Sequence, residues 1–93
     1  MRVEWDPRKA ASNVKKHGVS FRDAATVFGD PLAWTFPDPD HSSTEDRFVT
    51  IGLTRTGEIL VVAHTDSRDR IRIISARRAT PRERRFHEEA NQD

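Results

Sequence analysis

The sequence predicts an α+β domain whose small antiparallel sheet packs on helices. Three observations carry this. Apolar residues at helical spacing occur in two stretches near the N-terminus, and a capping box opens a further helix near the C-terminus. Between them runs a series of strand-like segments joined by short turns. One of these segments, Ile59-Leu60-Val61-Val62-Ala63, is apolar at every position, as a strand covered on both faces requires. The expected order is β-α-α-β-β-β-β-α, with two helices before the strand run and one after it.

Each element has a local reason. Residues 2–5 read as a short strand, and Asp6-Pro7 then supplies an N-cap and a first-turn proline. Pro7, Ala10, Ala11 and Val14 keep helical spacing up to His17, where Gly18 fits the position just past a helix end. Ser20 and Asp23 open a weaker second helix with Phe21, Ala24, Ala25, Val27 and Phe28 apolar, and Gly29-Asp30-Pro31 stops it. Leu32 to Phe36 is a strand, and Trp34 within it is expected in the core. An acidic loop, 38–46, leads to strands at 47–54, 58–65 and 70–76. Thr80-Pro81-Arg82-Glu83 is a capping box that opens the last helix, to about residue 91.

Composition narrows the function classes. At 93 residues, 34% hydrophobic and 33% charged, the chain has room for one small core, so a single domain over 1–93 is expected. It has no cysteine, hence no disulfide framework, thiolate metal site or cysteine nucleophile. No apolar run approaches a membrane span, and the first residues lack the apolar stretch of a signal peptide, so the cytoplasm is the expected location. The net charge of +1 conceals strong segregation. Residues 1–22 carry six bases against Glu4 and Asp6, whereas 23–66 carry eight acids against Arg47 and Arg55. Residues 68–85 hold eight arginines against Asp69 and Glu83. Arginine's planar fork suits phosphate recognition.

Trp5-Asp6-Pro7, Lys9, Asn13, Lys16-His17-Gly18-Val19, Phe21, Ala24-Ala25, Val27-Phe28 and Asp30-Pro31 together resemble the opening of BrnT-type toxins. The second half is similar in Asp40-His41-Ser42, Glu45, Arg47, Ile51-Gly52, Val61-Val62, Arg72-Ile73-Ile74-Ser75-Ala76-Arg77 and Arg82-Glu83. The resemblance implies a RelE-like fold and a toxin of a type II toxin–antitoxin pair that inhibits translation by cutting RNA without a metal. It also implies a BrnA-like antitoxin of the ribbon-helix-helix type, with operator DNA bound only through the complex. In one respect the chain departs from the family. The last helix often carries a tyrosine after Glu-Arg-Arg, where this chain has Phe86-His87 and no tyrosine anywhere.

Metal-free RNA cleavage needs a base for the 2′-OH proton, an acid for the leaving 5′ oxygen, and fixed cations for the phosphorane. Arg70 and Arg72 are two apart on a strand and share a face, and Arg77 near its end is expected to converge on the same cleft. Together they form a phosphate clamp or, alternatively, a solvated or antitoxin-facing strip. Arg72 and Arg77 are the expected phosphate stabilisers, and Arg47 and Arg70 the expected RNA-positioning residues. His64, at the end of the central strand, is the histidine best placed for proton transfer, and His87 stands where the family tyrosine would be. Glu45 beside Arg47 reads equally as a base or as half of an ordinary ion pair. Arg78, Arg82, Arg85 and Lys16 are candidate phosphate contacts, and Lys16 suits a solvated helix face as well. His17 reads as a favourable cation at a helix end. Asp38, Asp40, His41, Glu45 and Asp46 lack the ligand spacing of a known metal loop, so neither metal nor cofactor is expected. The competing reading is a non-catalytic binding or regulatory module that retains antitoxin or nucleic-acid binding.

Overall fold

A computed structural model describes residues 2–40 and 46–90 of the chain. The elements run β1 (Arg2–Trp5), α1 (Pro7–His17), α2 (Phe21–Ala25) with a 3₁₀ turn (Thr26–Gly29), β2 (Trp34–Pro37), β3 (Arg47–Leu53), β4 (Ile59–Ser67), β5 (Arg70–Arg78) and α3 (Pro81–Ala90). This is the expected order. None of the described helices is long and apolar enough to cross a membrane.

The helix ends form where the sequence signals them. Asp6 accepts the amide of Arg8 at 2.8 Å, and Ser20 accepts that of Asp23 at 3.1 Å. Gly18 takes φ +68°, a left-handed conformation that glycine adopts without a Cβ penalty, and its amide returns to the Val14 carbonyl. Thr80 and Glu83 close the capping box reciprocally, at 3.2 and 2.9 Å.

The five strands lie in the order β1-β5-β4-β3-β2, with β4 central as its all-apolar run requires. The pairs from β2 to β5 are antiparallel, whereas β1 joins β5 in parallel, so the sheet is mixed. β1 is held by the last strand of the chain, a partner that no local pattern reveals.

The sheet buries both faces unequally. On one face Leu60, Val62, Ile73 and Ala76 pack against Phe21, Ala24 and Val27 of the helical layer. Gly52 lets the 3₁₀ turn close on this face, since a Cβ there would stand 3.1 Å from Val27 and Ala33. On the opposite face Ile51, Val61 and Ala79 form a smaller cluster with Phe36, Val49 and Ile59 beneath α3. Trp34 is a correction to the expected core: on edge strand β2 it stays 41% exposed, its ring against Phe36 and Phe86. Trp5 packs edge-on to Phe21 at the margin of the core.

Asn13 joins the helical layer to the sheet edge. β1 covers β5 only from Arg70 to Ile73, and beyond it the edge of β5 would be bare. The buried Asn13 amide donates to the carbonyls of Ala76 and Val19 at 2.8 and 3.0 Å and accepts the Ala76 amide at 3.1 Å. Asn13→Ala strands these backbone groups away from water. It should cost on the order of 2–3 kcal/mol in urea unfolding, and a loss below about 0.5 kcal/mol, the usual surface range, would refute that role.

His64 lies on the helix-covered face, 1% exposed, with its ring 4.9 Å from Phe28. Its Nδ1 donates to Asp66 at 2.7 Å, while Thr50 donates to Nε2 at 2.7 Å and accepts from Thr35 at 2.8 Å. Burial lowers its pKa below the usual 6.5, although Asp66 pulls the other way. The unfolded chain therefore takes up this proton first as pH falls, and stability declines from about pH 6.5 downward. The thermal midpoint should drop between pH 7.5 and 5, and His64→Gln should flatten that slope. An unchanged slope would mean that His64 does not carry it.

Candidate active site

α3 covers only one end of the second sheet face. Phe86 lies against Trp34 and Phe36 with ring centroids 5.8 and 5.4 Å away, and Ala79 sits beside Ile51 and Val61. The remaining face opens into a cleft of about 710 Å³. Its floor is apolar, with Val49, Val61 and Ala63, and Phe36 and Asp38 stand at the β2 side. Ser75, Arg77 and Glu83 stand at the β5 side, and His17 closes the α1 end.

Arg77 reaches this face through an irregularity. Arg72 and Arg77 are five residues apart, which on a regular strand points them to opposite faces. The register shifts where Ala63 pairs with Ser75 and His64 with Ile73, leaving Ile74 without a partner. This bulge restores Ser75 and Arg77 to the open face. There Nη1 and Nη2 of Arg77 donate to the two Glu83 oxygens at 2.7 and 2.9 Å, and Nη1 also meets the Arg78 carbonyl. The paired Arg77 guanidinium holds the Glu83 carboxyl down at about 2 against its burial, helped by the Thr80 amide. The Arg77 pKa is raised by the same pair.

The other expected residues separate into distinct places. Arg70 and Arg72 share the open face as foreseen, but both converge on Glu4 of β1, at 3.6 and 3.0 Å. The register sets Arg47, Thr65, Arg72 and Glu4 in one row across four strands. Arg77 lies opposite Val61, two rows away, roughly 13 Å along the strand direction. Arg72 lines a neighbouring depression of about 500 Å³ with Lys9, Asp46 and Thr65, not the cleft. The three arginines mark a track across the face, and the expected convergence on one cleft does not occur. Arg47 lies 3.7 Å from Asp38, and its buried Nε has no hydrogen-bond partner among the described residues.

Two proton-transfer candidates are displaced. His64 faces the helical layer within β4, which runs on to Ser67, and so does not reach the cleft. His87 is buried on α3, its Nε2 3.0 Å from Asp30, where it pins the helix to the turn before β2. Asp30 also accepts the amides of Leu32 and Leu53, and these bonds with His87 lower its pKa despite burial. The third candidate, Glu45, lies outside the described residues, as does His41. Arg78 turns to the helix side and holds Glu58 and the His17 carbonyl, at 2.8 and 3.1 Å, so it serves the fold. Arg82 and Arg85 are exposed on α3, and Lys16 is exposed beside His17. Among the described residues no group of three or more His, Cys, Asp or Glu is placed to hold a metal ion.

Sequence reasoning missed His17, Ser75 and Asp38 as cleft residues. The signal for His17 was present in Gly18, which ends α1 there and leaves His17 at the cleft rim. Ser75 could not be assigned a face without knowing the bulge.

The chain was compared with known proteins. A search of curated proteins finds no match. A crystal structure of the Brucella abortus ribonuclease toxin BrnT matches with a TM-score of 0.67 at 28% identity, covering 86% of this chain and 97% of that one. The model of the family described as the ribonuclease toxin BrnT of type II toxin–antitoxin systems matches residues 5–83. This chain belongs to the BrnT toxin family.

Proposed function

We propose that this chain is a cytoplasmic endoribonuclease that cuts RNA in the sheet-face cleft without a metal ion and so inhibits translation. In this reading the 2′-oxygen attacks the adjacent phosphorus, the bond to the 5′-oxygen breaks, and a 2′,3′-cyclic phosphate and a 5′-hydroxyl result. The supporting observation is Arg77 fixed by two bonds to Glu83 over an apolar floor. A guanidinium cannot be deprotonated near neutrality, and one already oriented needs little rearrangement to stabilise a phosphorane. The apolar floor beneath it offers no competing hydrogen-bond partner to the guanidinium. Arg72 and Arg47, two rows away, and Arg70 beyond them would guide the rest of the strand, together with Arg82, Arg85 and Lys16 on the flanking helices. The partner is a BrnA-like antitoxin of ribbon-helix-helix type, which neutralises the toxin and carries the complex to operator DNA.

A second reading, a binding module without catalysis, draws on α3. The helix offers the cleft region Phe86 in place of a hydroxyl, and the neighbouring His87 is committed to Asp30.

Purified protein incubated with RNA in EDTA separates the two readings. Cyclic-phosphate ends support the enzyme, whereas gel retardation without cleavage supports the module, and cleavage abolished by EDTA refutes metal independence. Arg77→Ala should lower kcat by about 10²–10³-fold and relieve growth arrest when the chain is expressed in bacteria. Arg77→Lys should not restore the rate, since a point charge lacks the fork that Glu83 orients. Glu83→Gln should lower the rate less than Arg77→Ala. A folded Arg77→Ala protein as active as the parent would remove Arg77 from the mechanism. Arg72→Ala should raise KM more than it lowers kcat, and the reverse pattern would place Arg72 at the reacting phosphate.

A further inference from the structure

We infer that His17 is the general acid that protonates the departing 5′-oxygen. The inference rests on the ribonuclease reading of the cleft. Its basis is what each group lining that cleft can do with a proton. Arg77 has none to release near neutrality, and Glu83, with a pKa of about 2, can only accept. Asp38 and Asp40 add carboxylates to the lining, a group suited to the role of base in such a step. The Ser75 hydroxyl holds its proton too tightly to serve as an acid there. Imidazole alone among these side-chain types carries a transferable proton close to neutrality. Of the histidines among the described residues, His64 and His87 are buried and bonded elsewhere, and His17 lines the cleft.

The placement is built by the fold. Asn13 fixes α1 against Ala76, and Arg78 Nη1 donates to the His17 carbonyl at 3.1 Å, so the helix end is tied to β5 beside Arg77. Gly18 then turns the chain away, and His17 is left between the cleft and a shallower depression holding Lys9 and Lys16. The charged groups that share its two depressions are Asp38, Asp40, Arg77 and Glu83 in the cleft, and these two lysines in the other.

In the step assigned to it, the 2′-oxygen forms its bond to phosphorus as the bond to the 5′-oxygen breaks. The imidazolium proton of His17 passes to that oxygen, which leaves as a hydroxyl. The 2′-OH proton goes to a separate base, for which the cleft carboxylates are available.

The experiment compares a short oligoribonucleotide with the same oligomer carrying sulfur in place of one bridging 5′-oxygen. A thiolate leaves without protonation, so the loss of an acid is silent on that substrate. His17→Ala should cut kcat on the oxygen substrate by about 10²–10⁴-fold, with KM nearly unchanged, yet cleave the sulfur substrate at close to the parent rate. The alkaline limb of the parent's kcat profile should disappear. His17→Gln, which keeps the side chain's bulk, should behave like His17→Ala. Equal losses on both substrates would make His17 a positioning residue, and rates within about threefold of the parent would exclude it; either result overturns the inference and leaves the ribonuclease reading intact. If the parent cleaves neither substrate, the ribonuclease reading fails and this inference falls with it.

Discussion

The architecture depends on one side-chain amide at the edge of the sheet. β5 is nine residues long, and β1 is only four, so about half of β5 has no strand on its outer side. A bare sheet edge leaves backbone groups unpaired and invites other chains to pair with it. Asn13 fills that gap from a helix, offering a donor and an acceptor to Ala76 as a neighbouring strand would. An aliphatic residue at position 13 would bury as well but would leave these groups unsatisfied. The same contact brings the end of α1 to the end of β5, and with it His17 to the side of Arg77. Sheet closure and cleft construction are therefore one event.

The second constraint is the bulge at Ile74. Without it, the residues beyond Ile73 would alternate in the opposite sense, directing Ala76 to the cleft and Arg77 into the core. With it, a strand that begins Arg-Ile-Arg-Ile can end with its last pair of functional side chains back on the open face. The capping box of α3 uses the same region. Glu83 closes the helix start on Thr80 and orients Arg77 simultaneously. A residue recognisable in the sequence as a helix signal thus doubles as the partner of the cleft cation.

These two features explain what the sequence did and did not disclose. Helix positions were legible because Asp6, Gly18, Ser20 and Thr80 act on their own neighbours, within four residues. β4 was legible as central because its apolar run is a local record of burial on both faces. The parallel partner of β1 and the bulge depend on residues some 70 positions apart or on a single unpaired residue, and leave no periodic trace. His64 shows the consequence for site assignment. It was expected to end β4, which instead runs on to Ser67, and its face is decided by parity with Leu60 and Val62, which pack toward the helices. Trp34 errs in the opposite direction: its type suggested the core, and its edge strand exposes it.

The arginine-rich segment takes on a different meaning once its partners are known. Four of its arginines, at 70, 72, 77 and 78, lie on β5, and each meets a glutamate: Glu4, Glu83 or Glu58. The segment's excess positive charge is therefore partly met by acids from β1, α3 and the β3–β4 connection. Such exposed pairs are worth little to stability, and their value lies in orientation. In the proposed reading, an RNA phosphate approaching β5 would meet guanidinium groups already held in place, and the exposed bases of α1 and α3 would supply attraction over a wider surface. Attraction that depends on exposed charge weakens steeply with salt, whereas the orientation of the Arg77 guanidinium rests on two short hydrogen bonds to Glu83. Raising ionic strength should consequently erode capture of RNA more than the rate of the step at Arg77, which separates the two roles that the sequence, counting arginines, could only add together.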